Sequence, residues 1–267
     1  MKVYCKTRKS HRWNEDRFIT GKDYFVVIDG ATPLKKSNLF NEARWMVDYI
    51  KSNFNKCRGS VKSRLKKLCE EAFEKIPVKA SGEDYLPSAS ACWVELKENS
   101  AVISLLGDCE VTAVYRDGTV VRFHDDRLDG LDAKAIDEMV AVAKEKNISV
   151  KEARKYIEDT LIKHRRLANK PDGYSALLLS ENVKIDEKRY EIERENIRTL
   201  YLYSDGFAQA FTALDIYPDH NAMFKRICDI GEEIDKIEKC AYADADCNAH
   251  PRFKTIDDIT AIKVDFE

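Results

Sequence analysis

Four aspartates sit where a rigid sheet would hold them and a cleft could reach their oxygens. Asp29 ends the run Phe25-Val-Val-Ile-Asp-Gly30, and Asp108 follows Val102-Ile-Ser-Leu-Leu-Gly107. Asp205 ends Leu200-Tyr-Leu-Tyr-Ser-Asp-Gly206, and Asp257 stands just before the run Ile259 to Val264. Each lies at the edge of an apolar, strand-like segment, and the segments are spread along the whole chain. Converging carboxylates repel one another unless cations sit between them, and an all-oxygen cluster suits hard divalent ions such as magnesium or manganese. A single Asp-Gly after a strand reads as a turn with glycine at positive φ. The four together read as a metal site.

The elements that must position them are mixed. Phe25 to Ile28 is a short buried strand. Asn41 to Phe54 repeats apolar residues at helical spacing (Ala43, Met46, Val47, Ile50), and Val61 to Ile76 does so through Val61, Leu65, Leu68, Cys69, Ala72 and Phe73. Pro77 closes that second helix. Ala89 to Leu96, Ala101 to Leu106, Glu110 to Tyr115 and Thr119 to Phe123 predict four successive antiparallel strands, the last two joined at Arg116-Asp-Gly118. Leu131 to Leu167 predicts two charged amphipathic helices, broken near Asn147-Ile-Ser149, with Ser149 and Glu152 spaced as a capping box. Ser175 to Leu179, Thr199 to Tyr203 and Ile259 to Val264 complete the strands, and Met223 to Ile237 is helical. Groups of antiparallel strands with helices between and after them predict an α+β layered fold rather than a doubly wound one.

Of the 267 residues, 44% are hydrophobic and 34% charged, enough for a sizeable core in one domain. The 45 basic and 47 acidic side chains leave a net charge of −2, which marks no nucleic-acid or anionic-membrane partner. No apolar stretch is long enough to span a bilayer, and the N-terminus lacks a signal-peptide core, so the expected location is cytoplasmic. The eight cysteines show no Cys-x-x-Cys or Cys/His zinc spacing and read as reduced thiols. Cys240, Cys247 and His250 cluster in sequence without the usual metal-ligand intervals. Trp13, Trp45 and Trp93 read as core residues.

In order, the motifs are Asn14-Glu-Asp16, Val27-Ile-Asp-Gly30, Ser88-Ala-Ser-Ala-Cys92, Gly107-Asp-Cys109, Tyr203-Ser-Asp-Gly206 and Asp257-Asp-Ile-Thr260. In kind and order they resemble the metal-dependent protein phosphatases, the type 2C serine/threonine phosphatases, over nearly the whole chain and in a bacterial style. The resemblance implies a four-layer αββα sandwich, two central antiparallel sheets flanked by helices, in a single domain over 1–267 with a variable helical flap at about 129–171. It implies two or three divalent cations, manganese or magnesium. Asp29 would bridge two of them, the carbonyl of Gly30 would bind one, and Asp205 and Asp257 would bind the other directly, the motif register favouring Asp257 over Asp258. Asp108 would help Asp205 hold a third. Glu15 and Asp16 match the family's acidic pair beside the metals.

The implied reaction is hydrolysis of a phosphomonoester, removing phosphate from phosphoserine or phosphothreonine of a protein by attack of a metal-bridging water. No protein nucleophile is needed, in keeping with the lack of a Cys-x5-Arg loop. The chain departs from the pattern at several points. His11 stands where the family places a phosphate-binding arginine, with Arg12 beside it, so either could contact phosphate. Ala31 stands where a histidine often follows Asp-Gly. Ser-Gly-Ser-Thr appears as Ser88-Ala-Ser-Ala, and Gly-Asp-Ser as Gly-Asp-Cys. These departures motivate an alternative, a pseudophosphatase that binds phosphoproteins as a regulatory module. A third reading keeps the enzyme and gives it a small phosphorylated metabolite. The partners expected are a phosphorylated protein substrate, with no nucleic acid and no membrane, and the protein is expected to be a monomer.

Overall fold

The computed structural model describes residues 1–35, 41–79 and 82–266. Its centre is a pair of antiparallel sheets. One runs β1 (Lys2–Arg8), β11 (Ile259–Asp265), β10 (Ile197–Tyr203), β6 (Glu110–Tyr115), β7 (Val120–Phe123). The other runs β2 (Asp16–Thr20), β3 (Tyr24–Ala31), β4 (Ser88–Leu96), β5 (Ser100–Leu106), β9 (Lys188–Glu193), with the two-residue β8 (Leu177–Leu178) beside β4. Alternation along the strands assigns the faces. On β3, Phe25 and Val27 point between the sheets and meet Val111, Leu200, Leu202 and Ile262. Val26 and Ile28 point outward, onto α1 (Glu42–Asn53) and α2 (Val61–Lys75), through Met46, Val47, Ile50, Leu65 and Leu68.

The other sheet is covered by α6 (Asp205–Thr212), α7 (His220–Phe224) and α8 (Ile230–Ala243), through Phe207, Phe224, Ile234 and Ile237 against Tyr201, Tyr203 and Ala261. Helix, sheet, sheet and helix make the four layers expected. Asn41 and Ser60 cap α1 and α2 through their side-chain oxygens, and Asp229 caps α8 twice. The 129–171 region contains α3 (Asp129–Lys146), α4 (Val150–Ala153) and α5 (Glu158–Arg165), around a small core of Ala135, Met139, Ala143, Val150, Ala153 and Ile157. The Ser149–Glu152 capping box forms with both of its bonds.

Two expectations change. The four strands from Ala89 to Phe123 form, but not in one sheet. β4 pairs with β5 and β6 with β7, but β5 and β6 lie in different sheets. The chain changes sheet at Gly107-Asp108-Cys109, where Gly107 adopts φ +70. Asp108 therefore sits on the corner joining both sheets. The second predicted helix of the 131–167 stretch is in fact α4, a 3₁₀ turn at Arg154–Tyr156 and α5. Strands β1 and β9 escape sequence reading because each is a sheet edge, β1 almost wholly exposed and β9 turning only Tyr190 and Ile192 inward among charged residues.

The segment after α8 is held by one buried cation. Arg252 is 4% exposed, and its guanidinium donates to Asp244 Oδ2 (2.7 Å) and to the carbonyls of Ala241 (2.9 Å), Asp244 (2.7 Å), His250 (2.6 Å) and Thr255 (3.1 Å). Asp244 O also takes the Cys247 N–H at 3.1 Å, but the other carbonyls lose this donor if the guanidinium goes. Arg252→Met is expected to lower unfolding stability by about 3 kcal/mol, read from a urea titration. A change below about 0.5 kcal/mol would show that water replaces the guanidinium without loss.

Cys247 packs in the small helical core and His250 faces Asp215 at 3.4 Å, so these two point to different partners. All eight cysteines are free thiols.

Candidate metal centre

Sheet register puts the first two carboxylates side by side. Asp16 on β2 is directly opposite Asp29 on β3, and Asp29 is directly opposite Ser90 on β4. Asp16 is fully buried. Its Oδ2 accepts from Ser204 Oγ at 2.8 Å, while its Oδ1 has no partner. Ser204 also takes a bond from Thr260 N on Oγ (3.0 Å) and gives its own N–H to Thr260 O (3.0 Å). One hydroxyl thus ties β2 to the ends of β10 and β11, the two strands that carry Asp205 and Asp257 to the same place.

Asp205 opens α6 and lies in hydrogen-bonding contact with Asp29. Asp108 arrives from the sheet-to-sheet corner, where Ser90 Oγ accepts its N–H at 3.4 Å. Carboxylate oxygens of Asp29 and Asp108 and the thiol of Cys109 all lie within 4.8 Å of one another. Three buried oxygens among these residues, Asp16 Oδ1, Asp108 Oδ1 and Asp205 Oδ1, find no hydrogen-bond donor. Buried polar atoms are normally paired. Three orphaned carboxylate oxygens brought together from β2, the β5–β6 corner and the start of α6 are a donor set that divalent cations satisfy, so the residues present fit the metals implied by the motifs.

The electrostatics agree. Burial, and then the charges of Asp16, Asp205, Asp108 and Asp257, push Asp29 well above the ordinary carboxylate range. Burial, with Asp257 and Asp108, does the same to Asp205. Burial raises Asp108, and it raises Asp16 to about 7 despite the Ser204 bond. Cys109 is likewise pushed far up by burial and the neighbouring Cys92.

The adjacent aspartates after Ile256 divide the labour. Asp258 is buried and braces the loop from residue 10 to 15, its Oδ1 accepting from Ser10 N (2.6 Å) and Ser10 Oγ (2.9 Å) and its Oδ2 from Glu15 N (2.6 Å). Asp257 faces the other carboxylates and accepts from Lys254 Nζ at 2.5 Å. Glu15 presents its carboxylate beside the centre, accepting from Asn41 Nδ2 (2.5 Å) and Thr32 Oγ1 (3.3 Å), while Gly30 N–H donates to the Glu15 carbonyl at 3.1 Å.

Two glycines allow this approach of backbones. A Cβ on Gly30 would lie 2.7 Å from Glu15 O, and one on Gly206 only 2.0 Å from Asp258 O. Gly206→Ala is expected to cost about 1–3 kcal/mol by pushing α6 from the Asp258 strand end. Thermal melts of parent and variant in chelator would measure it, and equal midpoints would overturn the contact.

The centre opens into a cleft of about 980 Å³, lined by His11, Arg12, Trp13, Asp29, Gly30 and Lys254 among others. His11 and Arg12 are exposed on its wall. The Arg12 guanidinium lies 4.7 Å from the Trp13 ring centroid, and Arg44 lies 4.4 Å from it, so Trp13 is a rim residue stacked with cations, not a core one. From α5, Arg165 Nη1 donates to Ser88 Oγ (3.0 Å) and Thr32 O (3.2 Å), tying the helical region to the cleft edge. Asp132 on α3 is raised to about 7 by burial and by Asp108.

Sequence reasoning passed over Ser204, Ser90, Arg165 and Lys254. The two serines lie inside quoted motifs but carry no charge to draw notice. Lys254 had only its i,i+3 spacing to Asp257 as a signal.

No family model and no curated protein matches the sequence. The solved structures tell more. The Mycobacterium tuberculosis serine/threonine phosphatase PstP/Ppp aligns over 100% of this chain and 98% of its own, with TM-score 0.58 and 12% identity. A structure of the PstP catalytic domain in complex with two manganese ions aligns over 99% and 97%, with TM-score 0.55 and 14% identity. Stp1 from Staphylococcus aureus aligns over 100% and 95%, with TM-score 0.56 and 12% identity. This chain has the fold of the bacterial serine/threonine phosphatases. At such identity the sandwich is shared while most side chains differ.

Proposed function

We propose that the chain is a metal-dependent protein phosphatase that removes phosphate from phosphoserine or phosphothreonine of proteins. The observation that carries this reading is the set of orphaned, buried carboxylate oxygens converging at one end of the sandwich. Asp29, the Gly30 carbonyl, Asp205 and Asp257 would hold two divalent cations, manganese or magnesium, and Asp108 with Asp205 a third. Such ions supply a water acidified to near neutral pH and a charge clamp on phosphoryl oxygens.

The chain's own residues account for the rest. Asp16, locked by Ser204, and Glu15, locked by Asn41 and Thr32, line the centre with fixed acceptors. Asp258 holds the loop bearing Glu15, with His11 and Arg12 on the wall where phosphate would enter. The helices of 129–171 form a flap on a single domain, tethered at Arg165. Among the described residues no helix is long and apolar enough to cross a membrane, and we place the protein in the cytoplasm as a monomer.

One observation favours the pseudophosphatase reading. The Lys254 ammonium already sits on Asp257, putting a resident cation among the carboxylates. Phosphate release from a phosphothreonine peptide, with manganese, magnesium or chelator, separates the two. Turnover that chelator abolishes and metal restores supports the hydrolase. A folded chain inert with every metal would replace it with the binding module.

A further inference from the structure

Lys254 lines the cleft with Asp29, Gly30 and Asp257. Its side chain as a whole keeps 45% of its surface exposed, while its ammonium is crowded by carboxylates. Its one hydrogen bond among the described residues goes to Asp257. An ammonium carries three donors, which leaves two for a ligand.

The segment bearing it is anchored on both sides. Arg252, two residues earlier, is buried in its five-acceptor nest, and Thr255 Oγ1, the next residue, donates to Ala245 O at 2.7 Å. The ammonium is thus delivered to the centre by fixed backbone. The other cations of the cleft are turned elsewhere. Arg12 stacks on Trp13, and Arg44 stacks on the same ring and bonds Asp48 at 3.3 Å.

We propose that Lys254 is the cationic contact for the phosphoryl oxygens of a ligand bound at this centre. The proposal rests on the phosphomonoester reading above. A dianion entering past Asp29, Asp205 and Asp257 meets negative charge, and a flexible lysine head beside those carboxylates is a point charge that can swing from Asp257 to phosphate.

The test is calorimetric titration of inorganic phosphate into the manganese-equilibrated full chain, comparing parent, Lys254→Met and Lys254→Arg. Manganese affinity is titrated separately, and the KM and kcat of p-nitrophenyl phosphate hydrolysis are measured for each. Phosphate affinity should fall at least tenfold in Lys254→Met and be partly kept in Lys254→Arg. Manganese affinity should hold, and KM should rise more than kcat falls. Unchanged phosphate affinity in Lys254→Met, or a loss matched by an equal loss of manganese, overturns the proposal. If the parent hydrolyses substrate and Lys254→Met binds phosphate as the parent does, the hydrolase stands and Lys254 falls. If the parent binds phosphate through Lys254 without turnover, Lys254 stands and the hydrolase falls. A parent that binds no phosphate overturns both.

Discussion

Asp205→Asn is expected to abolish manganese-dependent hydrolysis of p-nitrophenyl phosphate, by on the order of 10³-fold or more, or about 4 kcal/mol of transition-state stabilisation. The same substitution is expected to raise the melting temperature in chelator, because Asp205, half-buried, is crowded by Asp29, Asp108 and Asp257, and one of its oxygens has no partner. An amide removes the repulsion and brings donors of its own. The gain should be roughly 3 °C or more. Manganese should then stabilise the variant far less than the parent. This combination is hard to obtain by accident. A residue important only for packing would lose activity and stability together. Activity within tenfold of the parent, or a lower melting temperature in chelator, would remove Asp205 from the proposed centre.

Stability of the metal-free protein should fall as pH rises from about 5 to about 7.5, the reverse of the usual acid-side behaviour. The sign follows from linkage. Asp16 and Asp132 are raised to about 7, and Asp29, Asp108 and Asp205 are raised as well, chiefly by burial. Between the unfolded carboxylate range and those values, the folded state binds more protons than the unfolded chain. Unfolding free energy therefore decreases with pH across that window, and the full cost is present above it. We expect the melting temperature in chelator to drop by roughly 5 °C or more over this range. Manganese should reverse the slope, since cations replace the protons and compete best where protons are scarce. Asp16→Asn should flatten the metal-free profile. A melting temperature in chelator that climbs from pH 5 to 7.5 would show that the carboxylates do not repel as their burial implies.

Much of the architecture was written in local pattern. The alternation of Phe25 to Ile28 separates inter-sheet from helix-facing residues, and the helical spacing of Met46, Val47 and Ile50 marks the face that covers them. Strand ends followed by Asp-Gly marked the centre, because a turn and a ligand carboxylate need the same place on a sheet. Strand β1 was not legible, since an edge strand exposed at all but Cys5 carries no period-two signal, whereas β9 does alternate, but only through Tyr190 and Ile192 among charged residues. The four successive strands form, but their division between two sheets was hidden for a related reason. Apolar runs and turns indicate that strands are antiparallel neighbours in sequence, but say nothing of which sheet each joins, and Asp108 sits where the chain crosses.

By itself, then, the sequence determined the strand and helix periods and the order of the acidic motifs, because both are properties of neighbouring residues. The tertiary structure decided which of two adjacent aspartates braces the 10–15 loop and which faces the centre, that Ser204 joins three strands, and that Lys254 reaches Asp257. Those outcomes depend on where β2, β10 and β11 end relative to one another. Side-chain direction at a strand end is fixed by the register of partners nearly two hundred residues away, and no window along the chain contains that distance.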